Sequence, residues 1–175
     1  MDTAAFTERP FSVEDAPFIV AAHSLPHARG YVSPPPDEQH VIDNMNGKPD
    51  VVRRIVLDNR GERAGLWVLS VFDGWLAELH LVIAATPRSG AGRYAVRSAK
   101  RYAFEEARVH RLWLEVTGTN VPAQRLYESE GFVHEGTFRD GFKNPEGGFG
   151  DLRHYGMLES EYVKAGSRRP DQVRS

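Results

Sequence analysis

Residues 86–107 read TPRSGAGRYAVRSAKRYAFEEA, and this stretch decides the fold because it joins a glycine turn to an amphipathic helix. Its apolar residues recur three and four positions apart, at Ala95, Val96, Ala99, Tyr102, Ala103 and Ala107. That spacing predicts a helix over Gly92–Ala107 with one apolar face. At its start, Gly90 and Gly92 allow a bulky anion to approach the backbone, where free amides attract phosphate oxygens. A glycine pair at this place also serves as a plain tight connection.

Strand and helix signals flank this segment on both sides. Trp75–Ala84 precedes it as a strand, and Arg111–Thr117 (RLWLEVT) follows it with strand alternation. Asn120 can cap a helix over Val121–Glu130, which Gly131 ends. The remaining predicted elements are strands near Phe6–Phe11, on either side of the turn Asp58–Gly61, near Val133–Phe138 and near Leu152–Leu158, and helices after Ser12 and near Asp37–Met45.

This order of elements predicts an α/β (α+β) sandwich, in which helices cover both faces of one mixed, largely antiparallel sheet. We expect a single domain over residues 1–163 and a poorly ordered tail over 164–175, where apolar residues are scarce. The segment Leu25–Pro36 carries four prolines and is predicted to be a loop that borders a substrate site.

The composition excludes several classes of protein. With 22 basic and 24 acidic residues the net charge is −2, so the chain lacks the basic field that favours nucleic acid or anionic membranes. Zero cysteines suit a cytoplasmic address, and no apolar run is long enough for a membrane span. The seven histidines show no metal-ligand spacing, so we expect no metal. No Gly-x-Ser-x-Gly elbow is present, and Ala95 replaces the third glycine of the dinucleotide fingerprint.

Four segments in order resemble the GNAT superfamily of N-acetyltransferases, most of all its Rim-type branch of ribosomal-protein N-terminal acetyltransferases. They are PRSGAGRYAVRSAKRYAFEEA, HRLWLEV, TNVPAQRLYESEGFVHEGTFRD and GDLRHYGML. The resemblance implies a six- to seven-stranded, mostly antiparallel sheet whose fourth and fifth strands splay apart, and acetyl-CoA as the acyl donor. The family's coenzyme loop begins with glutamine or arginine, where this chain has Pro87.

The resemblance also implies which residues bind the coenzyme. The pantetheine arm would pair with backbone near Leu81 and Val82, and Asn120 would contact the same region. The pyrophosphate would lie on the backbone amides of Arg88, Ser89, Gly90, Ala91, Gly92 and Arg93. The side chains of Arg93 and Arg97, four residues apart on one helix face, can add positive charge.

Amine acetylation needs a base for the amine and a proton for the departing thiolate. Glu115 can face a cleft if its leucine neighbours face the core, and the resemblance gives it the role of general base. Glu78 and His80 lie on one face of the preceding strand and are rival bases. Tyr127, in the pattern Asn120 to Leu126-Tyr127, resembles the family's general acid. The plain alternatives are a solvated glutamate and a core tyrosine.

The acceptor is less constrained than the donor. Deprotonating an α-amine at pH 7 costs about 1 kcal/mol, whereas a lysine amine costs roughly 4.6 kcal/mol. This difference favours a protein or peptide N-terminal α-amine. The alternatives are a small-molecule amine, such as an amino acid, polyamine or drug, and a non-catalytic module that binds acyl-CoA. The enzyme is expected to act as a monomer or homodimer.

Overall fold

The computed structural model of the chain describes residues 6–25, 28, 37–45, 50–144 and 147–166. The strands found there are β1 (Thr7–Pro10), β2 (Val51–Leu57), β3 (Arg63–Phe72), β4 (Leu76–Ile83), β5 (Arg111–Thr117), β6 (Val133–Lys143) and β7 (Phe149–Leu158). The helices found there are α1 (Ala16–His23), α2 (Glu38–Met45), α3 (Ala91–Arg101), α4 (Val121–Ser129) and α5 (Glu159–Gly166). No helix in these ranges is long and apolar enough to cross a membrane.

The strands form one seven-stranded sheet in the order β1-β2-β3-β4-β5-β7-β6. Every neighbouring pair is antiparallel except β4 and β5, which run parallel. The helix that connects β4 to β5, as a parallel pair requires, is α3. The predicted mixed, mostly antiparallel sheet with a splay between its fourth and fifth strands is therefore confirmed.

Three local features differ from the sequence prediction. The predicted helix to Ala107 is α-helical only to Arg101 and continues as a π-helical turn over Tyr102–Glu106. Strands β6 and β7 are longer than predicted and form an extended hairpin. Helix α5 was not predicted; at its start the Leu158 amide donates to the Glu161 carboxylate at 2.8 Å. The predicted loop at Leu25–Pro36, except residues 25 and 28, and residues 167–175 of the predicted tail lie outside the described residues.

The two faces of the sheet are covered by different helices. On the face that we call the α3 face, Trp67, Leu69, Leu112 and Leu114 are buried against α3 and α4 in the main core. On the opposite face, the α1 face, a smaller core buries Ile55 and Leu66 against α1 and α2; its members are Ala16, Ile19, Val41, Ile55 and Leu66. Since side chains alternate along a strand, each strand contributes to both faces.

A buried carboxylate fixes the start of α1 to the sheet. Asp15 is 0% exposed and accepts hydrogen bonds from Arg9 at 2.7 Å, from Arg63 at 2.8 Å and from the Ser12 amide at 2.9 Å. Burial alone would raise the pKa of Asp15, but these hydrogen bonds outweigh it and hold the pKa far below that of an ordinary aspartate. The interaction ties β1, α1 and β3 together.

Replacing Asp15 with asparagine is expected to lower the free energy of unfolding near neutral pH by about 2–3 kcal/mol, because charge-assisted hydrogen bonds are lost. A folded-state pKa below the unfolded value of about 3.9 stabilises the protein above that pH, and the contribution is lost as pH falls. The difference in the free energy of unfolding between wild type and Asp15→Asn should therefore be smaller at about pH 3 than near neutral pH, as measured by urea unfolding. The control is Glu14→Gln, an exposed neighbour. A difference that is equal at both pH values would contradict the assignment.

Candidate active site

The parallel strands β4 and β5 pair over only three residues before they part. The paired positions are Leu76 with Arg111, Ala77 with Leu112 and Glu78 with Trp113. Beyond Glu78, β4 continues to Ile83 in register with β3, while β5 continues to Thr117 in register with β7. A gap therefore opens in the middle of the sheet, at the carboxyl ends of two parallel strands, where α/β proteins commonly bind ligands.

The glycine turn lies at the open end of this gap. Gly90 has φ +97°, in the left-handed region that glycine adopts without strain, and Arg88 also has a positive φ, +69°. Residues 86–89 are exposed, so the loop is open to solvent. Among the described residues we find no hydrogen-bond partner for the amides of Gly90, Gly92 and Arg93 at the start of α3. The turn thus offers several free donors and the positive end of a helix dipole to an anion.

Gly92 also has a packing role. A Cβ at this position would lie 3.2 Å from Leu126 Cδ2 on α4 and 3.7 Å from Ile83 Cγ1 on β4. The missing side chain lets the first turn of α3 approach α4 and the end of β4 closely. Close packing of α3 is therefore enough to explain a glycine at position 92. The sequence could not distinguish this packing role from a role in binding an anion.

The basic side chains of α3 do not lie free at the turn. Arg93 contacts Glu130 at 2.6 Å, Arg97 contacts it at 3.0 Å, and Lys100 contacts it at 3.1 Å while also donating to the Glu130 carbonyl at 2.6 Å. Burial would raise the pKa of Glu130, but Arg97 and Lys100 lower it below its usual value. The structure thus differs from our prediction for Arg93 and Arg97: their side chains hold α3 to the end of α4. The backbone amide of Arg93 remains available.

Two carboxylates and a histidine share the α1 face where the strands part. Glu78 on β4 is paired in register with Trp113, and Glu115 on β5 lies directly across from His154 on β7. Burial raises the pKa of Glu78, and the nearby charge of Glu115 raises it further, while His154 opposes the shift. A carboxylate with a raised pKa is a better proton acceptor near neutral pH than an ordinary glutamate. The structure therefore brings Glu78 and Glu115 together.

His80 lies farther along β4 on the same face. More than a third of its surface is exposed, although surrounding protein still lowers its pKa by desolvation, with a smaller contribution from His23. His23 is a buried residue of α1 whose Nδ1 lies 2.7 Å from the Ile19 carbonyl. A lowered pKa keeps His80 neutral and able to accept a proton.

Tyr127 and Asn120 belong to α4, on the other side of the sheet. Tyr127 is 5% exposed, and its ring packs against Phe132 and Tyr155 on the α3 face. Burial raises its pKa, so the phenol stays protonated at neutral pH. Asn120 accepts a hydrogen bond from the Ala123 amide at 3.2 Å and is the N-cap of α4, as the sequence predicted. Leu81 and Val82 lie on β4 in the part that does not pair with β5.

Sequence reasoning missed His154 and Glu130. Glu130 was taken as the end of a helix, and only the approach of α3 to α4 shows its three cationic partners. His154 could have been placed opposite Glu115 only from the pairing register of β5 and β7. In the part of the chain that the structure describes, no group of three or more histidine, aspartate or glutamate side chains is arranged to bind a metal ion.

Comparisons with known proteins agree on the type of domain. The profile of the family described as "Acetyltransferase (GNAT) domain" matches residues 7–133. The spermidine N(1)-acetyltransferase of Vibrio cholerae is 32% identical over 88 residues, which span 50% of this chain and 50% of that protein. The match therefore extends over about half the length of this relative. It does not point to the Rim-type branch.

Two solved structures of the V. cholerae enzyme have the same fold. One, in complex with CoA and spermine, has a TM-score of 0.77 at 24% identity and covers 91% of this chain and 99% of that chain. The other, a dodecameric form, has a TM-score of 0.76 at 24% identity and covers 94% of this chain and 99% of that chain. At this level of identity, the structural likeness establishes the fold alone.

The charges around Glu78 generate a direct test of the site's geometry. Replacing Glu115 with glutamine should lower the pKa of Glu78 toward the ordinary glutamate value, because a neighbouring negative charge is removed. The measurement is a ¹³C NMR titration of the labelled glutamate carboxyls. The matched control, Glu62→Gln in the exposed turn after β2, should leave Glu78 unchanged. An unaltered Glu78 titration in Glu115→Gln would show that the two carboxylates do not interact.

Proposed function

The chain belongs to the acetyltransferase (GNAT) family, and on that premise we propose that it transfers the acetyl group of acetyl-CoA to a primary amine of a polyamine. The observation that carries the proposal is the gap between β4 and β5, which begins beside Glu78 and ends beside the free amides at the start of α3. A thioester donor and an amine acceptor both need access to one point, and this gap connects the two faces of the sheet.

The residues of the glycine turn fit a pyrophosphate. In this proposal the pyrophosphate lies on the backbone of Arg88, Ser89, Gly90, Ala91, Gly92 and Arg93. The free amides of Gly90, Gly92 and Arg93 donate to it first, since the Ser89 amide donates to the Thr86 carbonyl at 3.1 Å and the Ala91 amide to the Ser89 hydroxyl at 3.4 Å. Leu81 and Val82 offer backbone groups to the pantetheine arm, and Asn120, at the start of α4, contacts the same arm. The exposure of residues 86–89 and the free amides support this placement. Pro87 lacks the polar side chain that the family's glutamine or arginine has at this position. The main-chain donors that follow do not depend on the residue type there. The chemistry that acetyl-CoA supplies is an activated acyl group.

The polyamine is favoured over the N-terminal α-amine that the sequence suggested. Glu78 and Glu115 place two carboxylates on the α1 face beside the gap, and such a pair attracts a chain that carries several ammonium groups. The same pair repels a free amino acid, whose own carboxylate would lie near the reacting amine. The V. cholerae relative is a spermidine acetyltransferase, and one of its structures contains spermine.

The acceptor's high basicity makes the base important. Deprotonating an amine with a pKa near that of lysine costs roughly 4.6 kcal/mol at pH 7. A proton acceptor close to the amine is therefore needed to generate the neutral nucleophile. We assign this role to Glu78 and Glu115 together, and the raised pKa of Glu78 supports it. His80 remains a rival base, but its lowered pKa makes it a weaker proton acceptor than an ordinary histidine.

Tyr127 is the proposed proton donor to the leaving thiolate. Its position in the first helix after β5 supports the role, as does the protonated state that burial maintains. A phenol with a raised pKa is a weak acid, so we expect it to stabilise the thiolate by donating a hydrogen bond as much as by full proton transfer.

We expected a monomer or homodimer from the sequence, and the assembly of a relative favours a larger oligomer. One structure of the V. cholerae enzyme is dodecameric, which gives no support to a monomer or homodimer. We include a closed oligomer of GNAT domains in the proposal. Sedimentation equilibrium on the purified chain measures it directly.

An acceptor screen tests the proposed function. Thiol release from acetyl-CoA should be fastest with spermidine or spermine, with kcat/KM at least about tenfold above that for peptides with free N-termini, lysine-only peptides and amino acids. Turnover of N-terminal peptides without polyamine turnover would restore the α-amine assignment. Coenzyme binding without turnover of any amine would instead support the alternative that the chain is a non-catalytic acyl-CoA-binding module.

Replacing Tyr127 with phenylalanine should lower kcat by about tenfold or more while the affinity for acetyl-CoA stays nearly unchanged, because only the hydroxyl is removed. Steady-state kinetics and calorimetric titration make the two measurements. The matched control is Tyr162→Phe on α5, which removes a hydroxyl bonded to Glu105, remote from the gap. An unaffected kcat in Tyr127→Phe would refute the role.

A further inference from the structure

Trp113 is a large aromatic side chain on the α1 face that belongs to neither core. Leu112 and Leu114 point into the main core on the α3 face, so the alternation of β5 places Trp113 and Glu115 on the α1 face. The buried members of the smaller core, as far as the structure describes it, come from α1, α2, β2 and β3. Trp113 therefore lies beside that core and is partly exposed.

The stacking of Trp113 on His154 fixes the orientation of the indole. The two ring centroids are 4.7 Å apart and the ring planes differ by 10°, while Phe138 packs on the imidazole at 5.6 Å and an interplanar angle of 82°. His154 belongs to β7, which neighbours β5 on one side, so the imidazole covers the indole face that is turned toward β7. The other indole face is turned toward β4, the neighbour of β5 on the opposite side.

The position of Trp113 along β5 places this second face at the beginning of the gap. Trp113 is in register with Glu78, and this is the last pair of β4 and β5 before the strands part. Glu115 follows two residues later on the same face, where β5 no longer pairs with β4, and 33% of its side chain is exposed. An indole face and two carboxylates therefore border the same opening.

The charges around this opening favour a cation. Glu115 lies close enough to Glu78 for its negative charge to raise the pKa of Glu78. Arg111, on the same face of β5, is paired with Glu135 of β6, whose carboxylate lies over Gly156. Because Arg111 is held at the β6 side, it does not neutralise the carboxylates at the gap. An aromatic face beside carboxylates is the chemistry that binds alkylammonium groups, through cation–π attraction and charge pairing.

We propose that Trp113 is a specificity-determining residue for the acceptor, because its indole face and an ionised glutamate hold the ammonium group of the polyamine that does not react. This inference rests on the proposed function. The reacting amine gives its proton to one of the two carboxylates, and the other carboxylate stays ionised and pairs with the second ammonium. A monoamine has no group for this position, so the site distinguishes polyamines from monoamines. His154 acts only through the indole and is a positioning residue.

Two matched acceptors isolate the contribution of the second ammonium. 1,4-Diaminobutane and n-butylamine have the same carbon chain and one primary amine in common, and only the diamine carries a second amine. Trp113→Leu removes the aromatic face and keeps an apolar side chain, whereas Trp113→Phe keeps a smaller aromatic face. Trp75→Leu is the control, because Trp75 is a 50% exposed tryptophan in the turn before β4, at the end of the paired segment away from the gap. Thermal unfolding and the Kd for acetyl-CoA show whether each variant retains the fold and the donor site.

Trp113→Leu should lower kcat/KM for the diamine by about tenfold, mainly through KM, and change the value for butylamine by less than about twofold. Trp113→Phe should lose about threefold with the diamine alone, since tryptophan binds cations better than phenylalanine does. This second variant decides the question if Trp113→Leu does not fold. Trp75→Leu should behave as wild type. An equal loss with both acceptors, or unchanged diamine kinetics in both Trp113 variants, would overturn the role of Trp113.

Calorimetric titration of 1,4-diaminobutane into the protein saturated with CoA measures the same contact without turnover. The Kd should rise about tenfold in Trp113→Leu and stay at the wild-type value in Trp75→Leu. If wild type binds the diamine but acetylates no amine, the proposed function fails, and this titration still decides the role of Trp113. If wild type acetylates polyamines and the Kd in Trp113→Leu is unchanged, only the role of Trp113 fails. A wild type that binds no diamine would also overturn that role.

Discussion

The separation of two parallel strands is the constraint on which the rest of the structure depends. Strands β4 and β5 share only three paired positions, and each then follows its other neighbour, β3 or β7. Backbone groups at a sheet edge need hydrogen-bond partners, so a gap inside a sheet is costly unless a ligand or water satisfies them. A chain that keeps such a gap has an open edge of backbone where an extended ligand can bind.

The gap persists because the elements on either side are fixed independently. Asp15 holds β1, α1 and β3 together through Arg9 and Arg63. Glu130, 8% exposed, fixes α3 to the end of α4 through three cations. Removing one partner from a buried charge cluster is costly, whereas the assembled cluster defines one arrangement of the helices. The first turn of α3, with its free amides, is thereby held at the mouth of the gap.

The two faces of the sheet divide the chemistry between them. The α3 face carries the main core and the buried Tyr127, whereas the α1 face carries Glu78, Glu115 and His154. In the proposed function Tyr127 is the proton donor and the two glutamates are the proton acceptors, so the two roles lie on opposite faces of the sheet. Groups on opposite faces can reach one reacting centre only where the strands part, and for this reason the proposed acyl transfer depends on the gap.

The sequence by itself determined the elements whose signals are local. Alternation in Arg111–Thr117, the three-and-four spacing of α3 and the cap at Asn120 each depend on neighbours in the chain, and the strands and helices there agree with the prediction within a few residues. Tertiary structure alone decided the rest: that Arg93 and Arg97 bind Glu130, and that His154 lies across from Glu115. The contacts of Arg93 and Arg97 with Glu130 join residues 37 and 33 positions apart in the chain. A one-residue change of strand register would place different side chains opposite each other, and no tight turn joins β5 to β7 to fix that register.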